Sequence, residues 1–203
     1  AAATGDLARA GFWWAKANAQ QGDFFNQAQH LESAVAAAPL SYYGLRARAI
    51  LDQEIPPEEP PSVSAPVPDW AAVEVWLTAS HGPENPVARE SFESGQPWLR
   101  GQELLSAGLM AQAADEIGPL ADAAASPWQR YRIARSMAEA GQVRLAVRAA
   151  EPLLVGALDP PPSLLTLVYP ARYLSQANAA ASAENISPFL LLALVRQESL
   201  FDA

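Results

Sequence analysis

Ala107-Gly108, Ala113 and Pro119-Leu120 return 33 residues later as Ala140-Gly141, Ala146 and Pro152-Leu153, and Trp98 and Tyr131 keep the same shift. A period in the low thirties, with a glycine turn and small residues where helices cross, is the pattern of stacked helical hairpins. One hairpin cannot bury its apolar face alone, so neighbouring copies stack and wind into a superhelix. No other feature limits the fold of this chain as strongly.

The rest of the sequence agrees with an all-α reading. Alanine is abundant, β-branched residues are few, and apolar residues recur at intervals of three and four. A first helix is expected from about Asp6 to Gln21, with Leu7, Ala10, Trp14, Ala17 and Gln21 tracing its buried stripe. Gly22-Asp23 ends it, the glycine taking a left-handed cap. A second helix covers about Phe24 to Ala38 and stops at Pro39; a third runs from Ser41, an N-cap candidate, to about Asp52. Residues 56–68 hold six prolines and no helical pattern, which reads as a linker or long surface loop. Helices resume near Asp69, where Trp70, Val73 and Leu77 share a face. A second break, Asp159 to Ser163, closes the repeat region. The expected division is therefore 1–55, 56–68, 69–166 and 167–203.

Composition removes several functions. The net charge is −9 and the chain has no cysteine, so disulfides, thiolate metal sites and a cysteine nucleophile are excluded. Only two histidines, His30 and His81, occur, far apart in sequence, which leaves a zinc site or a serine triad without support; no metal and no cofactor is expected. An acidic chain does not bind nucleic acid through its overall field, because phosphate binding rests on Lys and Arg. The longest apolar run, Phe189 to Val195, falls well short of the about 18 residues that span a bilayer. Ala1 to Asp6 is neither a charged n-region nor an apolar h-region, so a signal peptide is absent or removed.

The chemistry-bearing candidate lies in the last segment, LVYPARYLSQANAAASAENISPFLLLALVRQESLFDA. Pro170 suits the first turn of a helix from about Ala171 to Glu184, ended by Asn185; Ser187-Pro188 restarts one as N-cap and first residue. Phe189 to Val195 is apolar on every side, which predicts a buried helix. Spacing sets Glu198 on the face of Leu191, Leu194 and Val195. From periodicity alone two positions stay open: a carboxylate aimed at a core or cleft floor, where desolvation favours its protonated, proton-donating form, or a solvated residue at a fraying helix end.

The string SPFLLLALVRQESLFDA resembles the first motif of the catalytic domain of the soluble lytic murein transglycosylase family, in which a turn leads into an apolar helix ending in Arg-Gln-Glu-Ser. Asn185 stands where the family has glycine, and Leu200 replaces a smaller residue. Residues 9–23 (RAGFWWAKANAQQGD) and 41–51 (SYYGLRARAIL) resemble helices of its superhelical domain, and 167–173 (LVYPARY) resembles its approach to the catalytic domain. The resemblance implies an α-superhelix of stacked TPR-like hairpins followed by the first helices of a truncated lysozyme-like domain, 167–203 being the start of the catalytic domain. It implies Glu198 as the sole catalytic acid/base and Ser199 as its support. Glu198 would protonate the glycosidic oxygen between N-acetylmuramic acid and N-acetylglucosamine, then, as carboxylate, take the muramyl C6 hydroxyl proton as a 1,6-anhydro ring closes. The implied partner is the peptidoglycan glycan strand, and the implied location extracytoplasmic, in the periplasm or envelope. The family's later Gly-Leu-Met-Gln and Ala-Tyr-Asn motifs do not occur here, so these 203 residues alone are expected not to cleave peptidoglycan.

Two rivals share the repeat: a non-enzymatic superhelical scaffold binding protein or peptide partners in the cell envelope, and a solute-binding or assembly module that has lost catalysis. Other residues carry bland readings. Tyr42 and Tyr43 pack rather than stack on sugar, Trp13-Trp14 is core and hairpin packing, His30 and His81 are surface or capping residues, and Glu58-Glu59 is a solvated pair.

Overall fold

The computed structural model describes residues 2–53, 67–184 and 186–201; the proline-rich stretch 56–68 lies outside them except for Val67 and Pro68, which are not helical. All regular structure among the described residues is helical. Among the described residues no helix is long and apolar enough to cross a membrane. The described residues form two compact units, one up to Gln53 together with Leu154–Leu158, the second comprising those from Val67 to Leu153 and from Asp159 onward.

The first unit holds α1 (Ala2–Gln20), α2 (Phe24–Ala37) and α3 (Tyr42–Leu51), each packed on the other two. Gly22, at φ 76°, closes the α1–α2 turn as expected. Asp23 caps α2: its carboxylate accepts the Asn26 backbone N–H at 3.1 Å and the Asn26 side-chain N–H at 2.6 Å. These bonds, the side-chain one foremost, hold the Asp23 carboxyl below its ordinary value. A lowered folded-state value means the cap stabilises α2 above the unfolded carboxyl range and is lost as pH falls through about 4 and below. Asp23→Ala should therefore remove part of the acid sensitivity of the thermal transition, read as a smaller drop in Tm between neutral and acidic buffer than the unsubstituted chain shows. Ser41 caps α3 as its spacing predicts, accepting the Gly44 N–H at 3.1 Å while its hydroxyl donates to the Ala38 carbonyl at 2.8 Å.

The buried face of α1 differs from the expected stripe. Ala8, Phe12 and Ala15 are buried, whereas Leu7 and Trp14 are mostly exposed. The reason is the closeness of α2: a Cβ on Gly11 would stand 3.1 Å from the His30 carbonyl oxygen, a separation that leaves no space for an indole. Small residues and one ring fill the contact instead, and Phe12, Ala15, Leu31, Ala34 and Ala47 make the core. Trp13 and Trp14 are thus not core residues, although Trp14 stacks on His30 across the hairpin at 4.5 Å. Tyr43 packs on Phe12 at 5.6 Å, and Tyr42, though 68% exposed, meets the Tyr43 ring edge-on at 5.2 Å.

The second unit holds α4 (Trp70–His81), α5 (Pro86–Glu93), α6 (Gln96–Ser106), α7 (Met110–Ala123), α8 (Pro127–Glu139), α9 (Val143–Ala150), α10 (Pro162–Val168), α11 (Leu174–Glu184) and α12 (Pro188–Ser199). The sequence repeat is also a geometric one. Both α6–α7 and α8–α9 are hairpins, turned by Gly108 and Gly141 at the same φ of 75°. In each, the residue after the glycine donates its N–H across the turn, Leu109 to Leu104 and Gln142 to Met137. Gly101 and Ala134 occupy equivalent buried crossings, and a Cβ on Gly101 would meet the Ile117 side chain. The copies diverge at their second proline: Pro119 lies inside α7, while Pro152 sits in a 3-10 turn after α9. α4 starts at an Asp69 cap, Asp69 N–H donates to Ser163 Oγ at 2.7 Å, and Val73 and Leu77 are fully buried, as the spacing predicts. The expected boundary between 166 and 167 falls inside this unit.

Candidate functional site

The C-terminal segment is built by backbone conformations that the sequence dictates in part. Ser187 is extended (φ −70°, ψ 129°), Pro188 opens α12, and the helix runs to Ser199. Leu200 and Phe201 then both take left-handed conformations, at φ 51° and 62°. Each such residue costs on the order of 1 kcal/mol. Burying the Phe201 side chain among Leu174, Ala177 and Leu192 returns about 2 kcal/mol and holds the reversal in place. Upstream, α11 begins at Leu174 and not near Ala171, because Tyr173 is itself left-handed at φ 63° and cannot start a helical turn. Asn185, expected to end α11, lies outside the described residues.

Arg196 ties α12 to the unit. Its Nε donates to the Val168 carbonyl at 2.9 Å, its terminal nitrogen meets Glu151 Oε1 at 3.1 Å, and its guanidinium lies 4.8 Å from the centre of the Tyr169 ring. Arg196→Ala should cost about 1–2 kcal/mol, seen as a lower Tm and faster amide exchange in α12 than in α8.

Glu198 is exposed and makes no hydrogen bond or ion pair among the described residues. The expectation of a carboxyl facing a core or cleft floor among apolar side chains is not met within them. Helical geometry explains why: the buried stripe of α12 runs through Pro188 and Leu192, and six residues beyond Leu192 the helix has turned roughly 240°. The prediction of a fully buried helix fails for the same reason, since Leu190 and Leu194 are each about half exposed. Ser199 does not support Glu198 by a hydrogen bond; its hydroxyl donates to the Val195 carbonyl at 3.1 Å. The nearby hollow of about 160 Å³, lined by Tyr169, Phe189, Leu192, Arg196 and Phe201, does not include Glu198. His30 and His81 lie in different helices, and no group of three His, Cys, Asp or Glu able to hold a metal occurs among the described residues.

No family model, curated protein or solved structure matches this chain.

Sequence reasoning missed the most heavily charged part of the second unit. Arg132 of α8 grips the Glu84 carboxylate with two nitrogens, at 2.6 and 2.5 Å, and reaches Glu93 of α5 at 2.9 Å. The bond to Glu84, above all, raises the Arg132 guanidinium further above its ordinary value. One turn on, Arg135 bonds Glu139 at 3.0 Å and approaches Glu74 of α4 at 3.4 Å. Tyr131 is buried between them, and that burial pushes its hydroxyl up to about 12. The available signal was Arg130, Arg132 and Arg135 in one helix of an acidic chain, with Glu74, Glu84 and Glu93 upstream.

Proposed function

We propose that this chain is helical scaffold and first catalytic-domain helices of a peptidoglycan lytic transglycosylase, with Glu198 as its acid/base. The observation that carries the reading is the segment itself: an extended Ser187, Pro188 at the first helical position, an apolar helix, and Arg-Gln-Glu-Ser closing its last turn. The anchoring of α12 by Arg196 also supports it, because acid catalysis needs the acid held in place. The finer architecture belongs to the same reading: a curved TPR-like array, favoured by the matched Gly108 and Gly141 turns, located outside the cytoplasm against glycan strands.

A second reading is favoured by two observations. Within the described residues no wall of side chains surrounds Glu198, and the Ser199 hydroxyl is occupied by the Val195 carbonyl. A non-enzymatic hairpin scaffold binding envelope partners needs neither feature. Reading the gene beyond Ala203 separates the two: an open frame with Gly-Leu-Met-Gln and Ala-Tyr-Asn motifs supports the enzyme, and a stop codon there supports the scaffold. Incubation with sacculi tests the enzyme directly, through the appearance of 1,6-anhydromuropeptides.

A further inference from the structure

An open cleft of about 870 Å³ lies between α4 and α8, with Glu84 and the α5 residue Arg89 also on its lining. That is within the range of sites that hold small ligands and short peptides. Its wall along α4 carries an uncovered apolar strip beside Glu74 and Thr78: Val75 is 70% exposed and lines the cleft with Ala71 and Ala79. Trp128 faces it from α8, with its indole N–H fixed to the Gly82 carbonyl at 3.1 Å, so the ring is a rigid surface.

The charges of the cleft fall into two groups. Arg132 and Glu84 are each about four-fifths buried, and Arg132 is engaged by Glu84 and Glu93, so they hold the α4–α5 turn and α5 to α8 and have little left for a ligand. Arg89, Arg135 and Glu74 are different. Arg89 is half exposed and uses only its Nε, on Glu93. Arg135 offers its NH1 only long contacts, 3.4 Å to Glu74 and 3.5 Å to the Tyr131 hydroxyl. Glu74 is half exposed, and its bonds to Tyr131 and Arg135 are both longer than 3.2 Å. The cleft therefore presents unspent guanidinium N–H groups near both α5 and α8, and a loosely held carboxylate on α4. Guanidinium forks pair best with carboxylates, and the Glu74 oxygens accept from an ammonium.

We infer that the α4–α8 cleft binds a short peptide carrying both a carboxylate and an ammonium group, with the carboxylate on Arg89 or Arg135, the ammonium on Glu74, and aliphatic parts against Trp128 and Val75. Charge complementarity of both signs selects this occupant over a neutral glycan, which cannot pair with the guanidinium N–H groups of Arg89 and Arg135 that lack a short contact, and over an anionic surface, which the −9 chain repels. The inference does not rest on the glycan-cleaving reading, and neither result decides the other.

The test is an NMR titration of the 203-residue chain with free-termini tetrapeptides containing one Glu and one Lys, compared with end-capped tetrapeptides of Ala and Gln and with an N-acetylglucosamine tetramer. The expected result is shifts at the Trp128 indole, Val75, Arg89 and Arg135 with the charged set alone, weakening as salt is added. Arg89→Gln with Arg135→Gln should weaken binding by about tenfold or more. Val75→Glu, on an exposed position that leaves the core untouched, should block it. Equal shifts with the capped peptides or the sugar, or none with the charged set, would overturn the proposal. So would charged-peptide affinity unchanged in both variants.

Discussion

Glu198→Gln is expected to abolish release of 1,6-anhydromuropeptides while leaving the melting temperature nearly unchanged, when made in a polypeptide carrying this segment together with the Gly-Leu-Met-Gln and Ala-Tyr-Asn motifs. A glutamine cannot donate a proton to a glycosidic oxygen or take one from the muramyl C6 hydroxyl. Positioned acid/base catalysis is worth about a hundred- to ten-thousandfold in rate, and here one residue would serve in both steps. The stability side follows from position. Glu198 is exposed and unbonded among the described residues, and a change at such a place shifts stability by only about 0.5 kcal/mol either way. Mass spectrometry of digested sacculi reads the first quantity and calorimetry the second. Retained turnover sinks the assignment of Glu198; lost turnover with a collapsed melt would mean the residue acts through folding. The 203-residue chain is expected to release none, because a single acid without groups to orient the glycan and stabilise developing charge supplies little of the acceleration.

The largest effect on stability is expected from Gly44→Ala. A Cβ at this position would lie 2.1 Å from the Ala38 carbonyl oxygen and 2.9 Å from the carbonyl carbon. Both are backbone atoms that cannot rotate away, unlike the Ile117 side chain facing Gly101. The Ala38 carbonyl is also held by the Ser41 hydroxyl, and Gly44 donates its own N–H back to Ser41, so relieving the clash means breaking the cap of α3. Overpacking plus a lost cap should cost about 3 kcal/mol. A thermal melt followed by helical circular dichroism should show the loss, with amide exchange in α1–α3 rising before that in α6–α9. A melt within a degree of the unsubstituted chain would show that the α2–α3 connection is looser than its geometry.

Local signals decided most of the elements. Gly22, Gly108 and Gly141 take the left-handed turns their spacing called for, Asp69 and Ser41 cap the helices they precede, and Ser187-Pro188 starts α12. These are legible because a turn or cap depends on a few neighbouring residues and their backbone preferences. Which face of a helix is buried depends on how near its neighbour comes, and that is set by residues distant in sequence. α1 buries Ala8, Phe12 and Ala15 where its pattern suggested Leu7 and Trp14, because α2 closes on Gly11. α12 turns Leu190, Leu194 and Glu198 outward because Phe201, reversed by two left-handed residues, fills the space beside Leu192. The α4–α8 cleft unites Glu74 and Glu84 with arginines about fifty to sixty positions away, a pairing that no local period encodes.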